Sequence, residues 1–105
     1  MLTSGFPSPA EDFREKELDL DALLVKNPSS TFFLRASGEK EDLTAIREGD
    51  ILIVDRSIYP DDGDLVVYST GRELEIGYFS GSSEEMLPEY AFWGTITWII
   101  HSSRP

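Results

Sequence analysis

Cysteine is absent, which excludes a disulfide framework and any thiolate chemistry and fits a reducing compartment. There is one histidine, His101, with no cysteine or second histidine beside which to build a metal site, and it reads as a surface residue. Basic residues are few: 9 Lys and Arg stand against 20 Asp and Glu, for a formal net charge of −11. That balance argues against binding a phosphate backbone, which needs clustered Lys and Arg, and suits solubility or a basic protein partner. No apolar run is longer than a few residues, so no membrane-spanning helix is expected. The N-terminus lacks the basic and apolar stretches of a signal peptide, so the expected location is cytoplasmic.

What is present is a chain of 105 residues with 40% hydrophobic and 11% aromatic content, enough for one folded domain with a modest core. Gly5, Pro7 and Pro9 prevent a regular element at the start, so residues 1–12 are expected to form a flexible arm and 13–105 the domain. Leu18, Leu20, Leu23, Leu24 and Val25 lie around Asp19 and Asp21, two potential caps, and predict one or two helical turns ended by Asn27-Pro28. Val, Ile, Phe, Tyr, Trp and Thr predict strands over Thr31–Ala36, Ile51–Asp55, Leu65–Ser69, Glu73–Phe79 and Phe92–His101. Thr70-Gly71-Arg72 predicts a tight hairpin. In the last strand a period of two puts Phe92, Ile96, Trp98 and Ile100 on one face. The fold class is mainly β, a small curled or barrel-like antiparallel sheet with one short helix.

The stretch from Thr31 to Ser57 organises the rest. Two β-rich runs bracket a loop that starts at Ser37-Gly38 and ends at Gly49-Asp50, a common way to hold a catalytic side chain at a sheet rim. The loop presents Glu39, Lys40, Glu41 and Asp42 and no nucleophile with a base beside it. Glu39, Glu41, Asp42, Glu48 and Asp50 match no cation-binding spacing and read as a solvated loop. Asp61-Asp62-Gly63-Asp64 reads as turn chemistry, Glu84-Glu85 as loop charge, and Ser37 as a turn hydroxyl. Trp93, Trp98, Tyr59, Tyr68, Tyr78 and Tyr90 lack the interleaved basic residues of a base-stacking platform and read as packing or interface residues.

The order and spacing of several segments resemble the UmuD/LexA family of self-cleaving serine–lysine proteases, most closely its UmuD branch. Gly5-Phe6-Pro7-Ser8-Pro9-Ala10 resembles the segment just after the self-cleavage bond, here Ser4-Gly5. Leu18-Asp19-Leu20, Asn27-Pro28-Ser29-Ser30-Thr31-Phe32-Phe33, Ala36-Ser37-Gly38, Gly49-Asp50 with Leu52-Ile53-Val54-Asp55, Gly63-Asp64-Leu65-Val66-Val67 and Trp93-Gly94 carry the rest. The resemblance implies a serine nucleophile and a neutral lysine base. Counted back from Ile46 and Gly49-Asp50, the nucleophile position falls on Lys40. Counted forward from Gly63-Asp64, the base position falls on Gly77. The region between Gly77 and Trp93 is also shorter than the resemblance leads one to expect, and the chain begins four residues before Gly5, like a cleaved UmuD′ product made directly.

By resemblance, the expected protein is a catalytically inactive UmuD′-like accessory subunit of the SOS response, a homodimer that binds a UmuC-type lesion-bypass polymerase and the RecA filament. One rival is a regulatory decoy that heterodimerises with active UmuD- or LexA-type proteases. The other is a self-cleaving serine peptidase with residual or relocated chemistry. No cofactor, metal, membrane or direct nucleic-acid contact is expected. Leu52, Val54, Trp93, Ile96 and Trp98 are the candidate core or dimer contacts.

Overall fold

A computed structural model describes residues 19–38, 43, 45–81 and 91–104. The expected arm over 1–12, the Ser4-Gly5 bond, Lys40, Glu84-Glu85 and Tyr90 lie outside these residues, as does the start of the expected 13–105 domain.

The helix α1 (Leu20–Leu24) is a single short turn-and-a-half, and of its two candidate caps it is Asp19 that caps it, accepting from the Ala22 amide at 3.2 Å. A 3-10 turn, Pro28–Ser30, then delivers the chain into β1 (Thr31–Arg35). The other strands are β2 (Ile51–Asp55), β3 (Leu65–Ser69), β4 (Leu74–Tyr78) and β5 (Ala91–Ile100). They form one sheet in the order β1-β2-β5-β3-β4, and every neighbouring pair is antiparallel. All five fall where β-branched and aromatic residues predict them. The β3–β4 hairpin closes through Thr70 N–H to Glu73 O at 3.0 Å, with Gly71 at φ +89°, a left-handed value that a glycine adopts without a Cβ penalty.

The pleat sends Leu52 and Val54 of β2, Val67 of β3 and Ile96 of β5 to one face, where Ala36 joins them in a buried cluster. Leu34, Ile46, Leu65, Ile76, Trp93 and Ile99 pack around it. Three of the five candidate contact residues, Leu52, Val54 and Ile96, are therefore core, and Trp93 is packed against it.

Trp98 departs from the period-two expectation. Val54 pairs with Ile96, yet Ile53, one residue earlier, pairs with Trp98, so Thr97 is an extra residue in the ladder. This β-bulge turns Trp98 to the face opposite Ile96. A second irregularity lies where Val67 pairs with Gly94 and Tyr68 with Phe92, leaving Trp93 as the extra residue. A strand whose register slips twice cannot keep Phe92, Ile96, Trp98 and Ile100 on one side.

Candidate functional site

The curl of the sheet brings its two edge strands to either side of one cavity of about 220 Å³. Leu34, Ala36, Ser37 and Gly38 line it from β1 and the loop that follows, and Leu74, Glu75 and Ile76 line it from β4. Leu43 and Ile46, on the far side of the loop, complete the wall with Leu52 and Val67 beneath. Gly38 and Leu43, the described residues nearest either side of the 39–42 stretch, both line this cavity. Most of the lining is aliphatic, so the cavity favours apolar contents.

Gly77 lies in β4 immediately after the cavity-lining Ile76. It pairs with Val66, whereas Ile76 pairs with Val67, so Gly77 occupies the pleat opposite the core face. A Cβ at this position would meet Tyr68 Cε1 at 3.2 Å, which shows the tyrosine ring lying across the backbone where a side chain would start. Lys26, the one lysine among the described residues, is exposed and does not line the cavity. Ser37 is exposed at the cavity's edge.

Two polar centres lie outside the cavity. Asp55, at the end of β2 and 3% exposed, accepts from Asn27 Nδ2 at 2.7 Å, Ser30 Oγ at 2.9 Å, and Ser57 N–H and Oγ at 2.8 and 2.6 Å. Burial alone pushes such a carboxyl up, but the Asn27, Ser57 and Ser30 donors together hold it at about 2. The segment before β1 is thereby fastened to the end of β2. Ser57 is a local donor, but the other two, Ser30 and Asn27, lie 25 and 28 residues away in sequence, so the shared centre does not show in the sequence around Asp55.

Asp50 is the second centre, and for this residue the reading of a solvated loop charge is wrong; Glu48 is exposed as expected, and Glu39, Glu41 and Asp42 lie outside the described residues. Asp50 is buried, accepts from the Arg47 amide at 2.9 Å, and its Oδ1 lies 2.7 Å from His101 Nδ1. Burial pushes this carboxyl up, while the Arg47 amide, His101 and the Arg47 charge outweigh it and hold the group below its ordinary value. His101 is not merely a surface residue at a strand end either: its other nitrogen, Nε2, lies 3.1 Å from Arg47 Nη1. Asp61–Asp64, by contrast, is turn chemistry as expected. Asp61 N–H donates to Asp64 Oδ2 at 2.8 Å, and Asp64 N–H to Asp61 O at 3.0 Å. Among the described residues no group of three or more His, Cys, Asp or Glu side chains is placed to hold a metal, and no helix is long and apolar enough to cross a membrane.

The aromatic residues form surface stacks rather than a continuous platform. Phe32 lies 5.4 Å from Trp93, and the Arg56 guanidinium sits 4.4 Å above the Trp93 ring. Tyr59 packs edge-on to Phe79. On the face opposite the core, Phe33, Ile53 and Trp98 stand side by side across β1, β2 and β5, with Ile51 and Ile100 in the adjoining row. Phe33 is 63% exposed, and Trp98 and Ile100 are each 42% exposed.

Comparison with known proteins identifies the relatives of this arrangement. The Peptidase S24-like family model matches residues 1–86. Protein ImpA of Escherichia coli is 37% identical over 115 aligned positions, covering 96% of this chain and 79% of ImpA. Protein MucA of Escherichia coli is 40% identical over 75 positions, covering 71% of this chain and 51% of MucA. The LexA repressor of Thiobacillus denitrificans is 29% identical over 92 positions, covering 86% of this chain and 46% of the repressor. An alignment of 115 positions cannot be filled by 105 residues, so ImpA carries residues that this chain lacks.

Proposed function

Because the chain belongs to the Peptidase S24-like family, we propose that it is a catalytically inactive, UmuD′-like docking subunit of the DNA-damage response. The observation that carries this reading is Gly77. The position counted as the base has no side chain, and the Tyr68 ring lies across its backbone. A serine–lysine peptidase needs an amine within hydrogen-bond reach of its nucleophile, and glycine offers none. Lys40, at the position counted as the nucleophile, would be an ammonium at neutral pH and a poor attacking group without a base.

Under this reading the family's apolar cleft and sheet remain as a body that presents surfaces, and no bond is broken. Incubating the purified chain with RecA, single-stranded DNA and nucleotide at neutral and alkaline pH should leave its intact mass unchanged. A product beginning at Gly5 would overturn the inactive assignment. Co-purification from damaged cells should recover a lesion-bypass polymerase. Recovery of an intact active protease instead would favour the decoy reading.

The exposure of Phe33, Trp98 and Ile100 on the face opposite the core supports a homodimer. Three large apolar side chains this exposed on β1 and β5, the two strands that flank β2, form a patch that a second copy would cover. Replacing Trp98 with glutamate, in a chain already at −11, is expected to shift the protein to monomer in sedimentation equilibrium while its far-UV spectrum is kept. An unchanged dimer would place the interface elsewhere.

A further inference from the structure

Asp50, His101 and Arg47 are joined in a way that the proposed docking role does not use. The Arg47 guanidinium carries only donors and keeps its proton throughout the accessible pH range. Its Nη1 lies 3.1 Å from His101 Nε2, so Nε2 must be the bare, accepting nitrogen of a neutral ring. The ring proton then sits on Nδ1 and donates to Asp50 Oδ1 at 2.7 Å. Asp50 in turn accepts the Arg47 amide through Oδ2, and its own N–H donates to Arg47 O at 3.0 Å. The result is a closed ring of contacts between the end of β5 and the turn that leads into β2.

We infer that these three side chains form a proton-operated latch in which His101 holds the Arg47 side chain only while its ring is neutral. Proton uptake at Nε2 turns the acceptor into a donor and sets an imidazolium against a guanidinium. The Arg47 side chain then leaves, while the bond from Nδ1 to Asp50 becomes charge-assisted and stays. Among the described residues, the other charges beside this turn are Glu48 within it and Arg35 on β1, whose Nη1 donates to the Gly49 carbonyl at 2.9 Å. Neither is a contact of the imidazole, so the exchange is between Arg47 and the proton. Ile46, which lines the cavity, directly precedes Arg47, so its amide is the probe nearest the cavity for release of the Arg47 side chain.

His101 is the only histidine, so its ring nitrogens give a single set of signals in the full-length protein. Nitrogen-detected proton correlation spectra should show the neutral ring as the Nδ1–H tautomer. As the pH falls, the Arg47 side-chain signal and the amides of residues 46–50 should move with one midpoint, that of the imidazole. Arg47→Met keeps the backbone bonds of the turn but removes the competing cation. It should raise the proton affinity of the ring roughly three- to tenfold and abolish the linked movement of the Ile46 amide. A neutral ring protonated at Nε2, or a midpoint that is the same in Arg47→Met, would overturn the latch. Because none of these readouts involves partner binding or peptide cleavage, the latch and the docking role succeed or fail separately.

Discussion

Replacing Asp55 with alanine should cost about 4 kcal/mol of folding stability in urea denaturation, a large share of the roughly 5–15 kcal/mol that holds a domain of this size. The carboxylate is the shared acceptor for Asn27, Ser30 and Ser57, so its loss strands the side chains of two residues before β1 and the turn after β2 together. Asp55→Asn is the sharper probe. It keeps the volume and one acceptor oxygen but points an amide at donors that need oxygen, and should cost about 2 kcal/mol.

The same centre sets an acid limit. The folded carboxyl titrates at about 2 against an ordinary value of 3.8, so its stabilisation is complete above pH 4–5 and is lost as the pH falls toward about 2. The difference corresponds to roughly 2.5 kcal/mol. Asp50, also held low, acts in the same direction. In Asp55→Asn the stability lost between pH 5 and pH 2 should shrink by about 2 kcal/mol, the part of that difference released by the time the folded carboxyl is half protonated. An equal loss in both proteins would mean that the acid sensitivity arises elsewhere.

Why Asp55 is silent in the sequence is instructive. The strand that carries it is plain from Ile51-Leu52-Ile53-Val54, because β-branched and aliphatic residues advertise a buried strand through local composition. Its partners are serine and asparagine, residues common in any loop, and although Ser57 is local, only the antiparallel pairing of β1 with β2 brings Asn27 and Ser30 to it. Asp50 and His101 are separated by 51 positions and meet because β5 crosses the sheet centre to lie beside β2. The strands and their glycine turns were legible for the opposite reason: each depends on residues adjacent in sequence. Between these extremes stands β5. Its existence is obvious, but the extra residues at Trp93 and Thr97 are properties of its pairing with β3 and β2, and they decide which face each aromatic takes. Trp98 therefore lies on the face opposite the core cluster, whereas Ile96 belongs to that cluster. The cavity was likewise half legible. Ser37-Gly38 and Ile46 mark its loop side in sequence, but Leu74 and Ile76 reach it only because the sheet curls.

Gly94 shows how closely that curl is packed, and Gly94→Ala is expected to cost about 3 kcal/mol. The cause is volume rather than backbone conformation, since Gly94 is not among the glycines with positive φ. A Cβ here would stand 2.5 Å from Val54 Cγ1, 3.3 Å from Arg56 Cγ and 3.6 Å from the Asp55 carbonyl oxygen. The Arg56 chain is exposed and can bend away. Val54 is wholly buried in the core cluster, and its strand is fixed by ladders on both sides, so it has nowhere to go without opening β2 from β5. Movement there would also disturb Trp93, which holds Arg56 through its carbonyl at 2.9 Å as well as through its ring. If steric conflict with one methyl is the cause, removing that methyl must relieve it. Val54→Ala alone should destabilise by about 2 kcal/mol through the hole it leaves. Combined with Gly94→Ala, the new methyl fills part of the hole, and the double variant should be at least 1 kcal/mol more stable than the sum of the single losses implies. Strict additivity in that cycle, measured by urea denaturation of all four proteins, would show that Gly94 is required for a reason other than its contact with Val54.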